Sequence, residues 1–372
     1  MNSNHNPNQS RIRRTVAAVL IAAALVVGVG VFLVARCLSF DEDGAHVIDR
    51  YGVLAQESQQ DTQQPAADEP DGQPEDEPED EPEEAYSRMI VLAADEAAQQ
   101  AERVSALAQR GALDTVIVDI KDADGALRLA VDTGELDDAE QLVDGDADAL
   151  AAAIAGWRDA GIHVIGRIYC LHDAQATRRN SDLAIQFERG GTWFDYDNTR
   201  WLDPTNGDAV DYLCDIAASA VEAGCGELLL ADFTFPPRGH LDRADFDRDP
   251  DDQASVLLDA LEEIRRAADG VPVSLTADTL SGLTELSVNG AEDGIPAGDT
   301  AALLAAAERL FVPADGADSA RELLDAARAE EWTLVPLLTD GDAWLSFEGA
   351  AALDGAGDAE AALDLAENRL DE

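Results

Sequence analysis

The chain has 372 residues, an apolar fraction of 46% and a formal net charge of −52. Its apolar content supports a large core, so most of it reads as globular. The charge excludes nucleic-acid backbones and anionic lipid surfaces as partners of the folded part, which would repel them; cations, neutral polymers and plain solubility remain.

Residues 1–14 carry Arg11, Arg13 and Arg14 and read as a cytoplasmic tail. The run from Thr15 to Ala35 is uncharged and almost wholly apolar, which predicts a single transmembrane helix with the remainder extracytoplasmic. A cleaved secretory signal is the alternative, and the length of the run weighs against it. Residues 36–86, including "QQPAADEPDGQPEDEPEDEPEEAY", combine proline with acid and little that can form a core, which predicts a disordered, self-repelling spacer. Four cysteines, Cys37, Cys170, Cys214 and Cys225, have neither CxxC spacing nor the density of a disulfide scaffold. They read as small buried residues, with a bridge among the last three left open.

From 87 to 372, short β-type runs alternate with alanine-rich stretches of helical period, the pattern of βα units. Strands are predicted at "RMIVLAA" (88–94), "TVIVDIK" (115–121), "HVIGRIYC" (163–170), "ELLLADF" (227–233), "VPVSLTA" (271–277), "RLFVPA" (309–314) and "TLVPLL" (333–338), with "AWLSF" (343–347) a degenerate eighth. The fold class is therefore α/β, a (β/α)8 TIM-like barrel, with the N-terminal transmembrane helix added. An open dinucleotide-binding sheet would place a GxGxxG turn after a strand, and none follows any of these.

In such a barrel the C-terminal strand ends carry function. Strand alternation puts Ile117, Asp119 and Lys121 on one face, with Asp122 and Asp124 on the adjoining loop. Lys121 is the sole lysine of the chain. In the third strand His163, Ile165, Arg167 and Tyr169 share a face, which brings Arg167 toward Asp119. A buried ion-pair network that only fixes the strands is an equally good account of these charges. A Schiff base on Lys121 is disfavoured, because the flanking carboxylates favour the ammonium form. Ser274, Thr276 and Asp278 share a face of the fifth strand, and Asp340 follows the seventh in "LLTDGD". Several carboxylates around one cavity suit glycoside hydrolysis, where one acid protonates the leaving oxygen and another serves as nucleophile or base.

The loop from Leu171 to about Asn206 contains "GTWFDYDNTRWLDPTN". Trp193, Phe194, Tyr196 and Trp201 offer flat apolar faces for sugar rings, with Asp195, Asp203 and Asn206 for hydroxyls. Gluing the loop to the barrel is an equally good role for the aromatics, and Asp203 before Pro204 also reads as a helix start. His172 stands where a ligand can reach it, while His163 is expected in the barrel wall. "DFDRDPDD" spaces Asp245, Asp247 and Asp249 like a calcium loop, but Pro250 and Val256 occupy the positions of the required glycine and glutamate. No metal and no cofactor are implied.

The segments "TVIVDIKDADG", "AGIHVIGRIYC", "WLDPTNGDAVDYLCDIAASAVEAGCGELLLADFTFPP" and "VSLTADTLSG", in this order and spacing, resemble the Putative glycosyl hydrolase domain family of TIM barrels over roughly residues 88–340. The resemblance carries over Asp119, Lys121, Asp122, Arg167, Asp203, Pro204, Asn206 and Asp278. Two segments depart from the family pattern. Where members end the fourth strand with a Phe-Asp-Tyr-Val-Arg-Phe-Pro type segment, the acid falls on Ala231 and the arginine on Thr234, with Asp232 one residue late. One residue reverses the face of a strand, so a bulge must turn Asp232 back into the cavity or the usual acid is missing. The seventh-strand Arg-Pro-Trp-Leu-Gln-Asp type segment is reduced to Val335 through Asp340.

The expectation is a membrane-anchored, extracytoplasmic glycoside hydrolase acting on a polysaccharide. Asp119 and Asp278 are its leading carboxylates and Asp232 a conditional third. Lys121, Asp122, Arg167, Tyr169, Trp193, Trp201, Asp203, Asn206 and Asp340 would contact substrate. The alternatives are a catalytically degenerate barrel binding glycan or a cell-envelope partner, and an aldolase using Lys121.

Overall fold

The computed structural model describes residues 88–277 except 249, residues 298–368 except 330, 331, 348, 349, 356 and 357, and the backbone of two short strands near the N-terminus. The chain divides into two units, 1–77 and 78–372. In the first, Leu38–Asp41 pairs antiparallel with Gly44–Val47, so the stretch assigned to a spacer begins with a hairpin. The apolar run at 15–35 lies outside the described residues. Among those described, no helix is long and apolar enough to cross a membrane.

The second unit is a closed barrel of eight parallel strands: β1 (Arg88–Leu92), β2 (Thr115–Lys121), β3 (His163–Tyr169), β4 (Glu227–Ala231), β5 (Val273–Thr276), β6 (Leu310–Ala314), β7 (Leu334–Leu338) and β8 (Ala351–Asp354). Neighbours in sequence are neighbours in the sheet, and β8 closes the ring by pairing with both β7 and β1. The helices used below are α1 (Gly207–Ala223), between β3 and β4, and α2 (Gln253–Ala267), between β4 and β5.

Seven strands fall on the predicted runs. The eighth does not. "AWLSF" lies mostly in a helical segment, Gly341–Ser346, whose N-cap Asp340 accepts a hydrogen bond from the Ala343 amide at 3.0 Å. Trp344 is fully buried, and its indole N–H donates to the Ala351 carbonyl at 3.2 Å. The residue that looked like a strand aromatic is a peg that positions the true strand, whose alanines carry little β-preference of their own.

Alternation along the strands separates two apolar layers. Met89, Ile117, Ile165, Leu229, Phe311 and Val335 belong to the cluster inside the barrel. Val116, Val118, Val164, Leu228, Leu230 and Leu275 belong to the larger cluster shared with the helices. At the N-terminal end of the barrel a buried polar network replaces apolar packing. Glu227 accepts from the Ser274 hydroxyl at 2.5 Å and from Arg309 Nε at 3.0 Å, and lies 3.0 Å from His163 Nε2. His163 thus stands in the barrel wall, as expected.

Candidate active site at the barrel mouth

At the opposite, C-terminal end, β2 is irregular. Asp119 pairs with Arg167 in register, but Lys121 pairs with Ile168, so a bulge lies between Asp119 and Lys121. A bulge inserts one residue and re-aims whatever follows it. Asp119 therefore keeps the interior face of Ile117, while Lys121 leaves that face and lines up with Ile168 of the outer cluster. Ile120 presses on Gly166, where an added Cβ would meet its Cγ1 at 2.9 Å.

Inside the mouth, Arg167 clasps Asp119 with two bonds, Nε to Oδ1 at 2.6 Å and Nη2 to Oδ2 at 3.2 Å. Arg167 also lies over the Tyr169 ring, 5.1 Å from its centroid. Burial pushes the Asp119 carboxyl above its ordinary value, and Arg167 pulls it only part of the way back. Burial likewise raises the Tyr169 phenol; Arg167 opposes this, and the charges of Asp119, Asp232 and Asp354 add to it.

Lys121 is not a mouth residue, which corrects the alternation argument. Its ammonium donates to the Tyr169 carbonyl at 2.5 Å and the Cys170 carbonyl at 3.2 Å, and lies 2.9 Å from Asp173 Oδ2. Both side chains of the pair are 0% exposed. The other oxygen of Asp173 accepts from the amides of Gln175 and Ala176 at 2.9 and 2.8 Å. No substrate reaches an amine enclosed in this way, so neither sugar contact nor a Schiff base fits Lys121.

At Asp232 the backbone departs from the strand. β4 stops at Ala231, and Asp232 adopts the left-handed region at φ 49°, uncommon for a residue with a side chain. Strict alternation would send it toward the helices. Instead its carboxylate is one-third exposed, with Oδ2 3.8 Å from His172 Nδ1. His172 in turn stacks at a tilt on Trp201, with ring centroids 4.7 Å apart. Non-glycine residues held in this conformation gather at functional sites.

Asp354 was missed. It ends β8 on the face of Ala352, which belongs to the interior cluster, and its charge acts on both Arg167 and Tyr169. The misplaced eighth strand hid it. Asp278, the other leading carboxylate, lies outside the described residues.

The sequence profile of the Putative glycosyl hydrolase domain family matches residues 89–291, more than half of the chain. The chain belongs to this family. No curated protein matches it. Among solved structures, a hypothetical protein from Ruminiclostridium thermocellum ATCC 27405 is 26% identical, with a TM-score of 0.44, over 52% of this chain and 98% of that one. The glycoside hydrolase domain of PgaB (BpsB) from Bordetella bronchiseptica is 12% identical, with a TM-score of 0.49, over 75% and 98%. Alpha-L-fucosidase isoenzyme 2 from Paenibacillus thiaminolyticus is 12% identical, with a TM-score of 0.50, over 76% of this chain and 48% of that one, a likeness of fold alone.

The remaining candidates in this family member are held in local structure. Asp122 accepts from the amides of Asp124 and Ala126 and pairs with Arg128 at 2.6 Å, shaping the turn after β2. Buried Asp203 accepts from the Thr205 amide and hydroxyl and from the Asp247 amide, tying the β3 loop to the β4 loop. Asn206 caps α1 by accepting from the Asp208 amide. Trp193 is fully buried, and its indole donates to the His240 carbonyl at 2.9 Å. Trp201 is 5% exposed and donates to Asp195. These two tryptophans glue the loop in place, and neither offers an open sugar face. Asp340 is a helix cap, so Asp340→Ala is expected to cost about 1 kcal/mol in a denaturant melt, as lost caps typically do.

Two other features share no residue with the mouth carboxylates. A cavity of about 200 Å³ between α1 and α2 is lined by Asn206, Arg248, Asp259 and Arg266 among others. Glu135, Asp208 and Asp211 bring carboxylate oxygens within 4.8 Å of one another at a partly exposed position, the one such grouping among the described residues.

Proposed function

We propose that the chain is a membrane-anchored, extracytoplasmic glycoside hydrolase that acts on a polysaccharide at the C-terminal mouth of its barrel. The observation that carries this reading is the left-handed backbone of Asp232, which releases the one acid at the end of β4 from its strand and sets it beside His172. In this reading Asp232 is the carboxylate that a glycosidic bond reaches. Asp278, which the sequence puts two residues after the end of β5, is in this reading its partner across the sugar. Asp119 acts through Arg167, which it orients. The anchor rests on the apolar run at 15–35 and its arginine flank.

The test is release of reducing ends from a panel of cell-envelope and plant polysaccharides by the full chain. Asp232→Asn and Asp278→Asn are each expected to lower the rate at least about 100-fold, the usual range for losing an acid–base group, while melting like the wild type. Undiminished activity in both variants would remove the assignments.

A second reading is a degenerate barrel that binds glycan without cleaving it. It is favoured by Ala231, which occupies the position of the family's fourth-strand acid. It is distinguished by saturable binding with no new reducing ends after prolonged incubation.

A further inference from the structure

The β3 loop that buries Trp193 and Trp201 turns two other aromatics outward. Phe194 is 46% and Tyr196 63% exposed, and they are the large apolar side chains exposed among the described residues. Between them Asp195 is buried and opens a turn, closed by the Asn198 amide donating to its carbonyl at 3.1 Å. The two exposed rings thus flank a buried residue that anchors the loop. We infer that Phe194 and Tyr196 form a second glycan-binding subsite, a platform on which sugar rings of a chain leaving the barrel mouth stack. The inference rests on the glycan reading above and extends it to where the rest of the polymer goes.

Three observations support it. The first is rigidity. Asp195 Oδ1 accepts from the amides of Asp197 and Thr199 at 3.0 and 2.8 Å, and Oδ2 accepts from the Trp201 indole at 3.0 Å. The Trp193 ring lies so close to Gly239, which has φ 136°, that a Cβ there would collide with it. Residues Gln186–Phe187 pair with Ala244–Asp245 and join the β3 and β4 loops. Each outward ring also has an edge-on neighbour: Phe187 for Phe194 at 5.4 Å, and His240 for Tyr196 at 5.5 Å. A surface held this way loses little entropy when it binds.

The second is continuity with the mouth. Asp232 faces His172 at 3.8 Å, His172 stacks on Trp201, and Trp201 is bonded to the residue lying between Phe194 and Tyr196. The third is size and chemistry. Two part-exposed rings offer on the order of 200 Å² of surface, far below the roughly 800 Å² per partner of a stable protein interface and suited to one or two sugar rings. The apolar C–H face of a pyranose packs on an aromatic ring while its hydroxyls need polar neighbours. The exposed Arg238–Asp197 pair, at 2.6 Å, and His240 stand beside the rings to supply them.

The test is saturation-transfer-difference NMR on the full chain with cello-, xylo- and chito-oligosaccharides of graded length. In the ladder that binds, affinity is expected to rise about tenfold from the shortest to the longest oligomer, the factor that two aromatic stacks supply. In the Phe194→Ala/Tyr196→Ala double variant this rise should flatten to about twofold or less, with an unchanged melting temperature because both rings are surface residues. Persistence of the full length dependence in the double variant overturns the platform. So does a wild type that binds short and long oligomers equally, which leaves the mouth reading standing. Loss of turnover in Asp232→Asn with the length dependence intact supports the platform independently of catalysis. No binding at any length overturns the platform and the glycan reading together.

Discussion

Lys121→Met is expected to destabilise the barrel by about 3–5 kcal/mol, the range for breaking a buried ion pair by removing one partner. Methionine fills most of the space of the lysine stem, so a cavity is not the cause. The cost arises because Asp173, fully enclosed, loses the ammonium that compensates it at 2.9 Å, and because the Tyr169 and Cys170 carbonyls lose their donor. For a domain of this size each kcal/mol moves the melting temperature by roughly 2–4 °C, so a drop of about 10 °C is expected in a thermal melt. Adding Asp173→Asn should recover part of the loss, since the amide oxygen can still accept from Gln175 and Ala176 while the uncompensated charge is gone. A single variant melting within about 2 °C of wild type would show that the pair is not structural.

The second large effect is expected at the other end of the barrel. Burial alone would raise the Glu227 carboxyl, but hydrogen bonds from His163, Arg309 and Ser274, with the charge of Arg309, hold it below its ordinary value. A carboxyl depressed in the folded state adds stability that is present above its unfolded pKa and is lost as pH falls through the folded one. Glu227→Gln removes that contribution and leaves Arg309 partly buried with a weaker acceptor. We expect a loss of about 3 kcal/mol at neutral pH, shrinking as pH falls below the range where Glu227 titrates. Denaturant melts at pH 7 and pH 3 check it; a deficit that is constant across pH would assign the loss to shape and not to charge. Asp119 has the opposite sign: its raised carboxyl favours the fold at low pH, and that contribution fades as pH rises through the folded value.

The barrel was readable because apolar β-type runs recur at βα spacing, and seven of them coincide with strands. Ala351–Asp354 carried no such signal, whereas the Trp344 stretch mimicked one; the Asp340 cap before it was the available cue. Losing β8 also lost Asp354. The Asp119–Arg167 clasp follows from alternation on two neighbouring strands and was legible for that reason. The bulge that turns Lys121 away was not, since a single inserted residue leaves the composition of a strand unchanged. For Asp232 the sequence posed the question of register, but a left-handed residue that is not glycine has no local signature. Glu227, Ser274 and Arg309 sit at or near the starts of separate strands and meet only when the ring closes.

Ring closure also bears on how the domain can be divided. The family profile ends at residue 291, yet β6, β7 and the closing strand β8 come later in the chain. A fragment trimmed to the profile would present β1 and β5 as bare edges, ready to recruit strands from other copies. The same cut would remove Arg309 from Glu227, leaving an acid at the barrel floor without its guanidinium. Expression boundaries should therefore follow the hydrogen-bonded circle, from before Arg88 through at least Asn368, and the shorter fragment should precipitate where the longer one stays in solution.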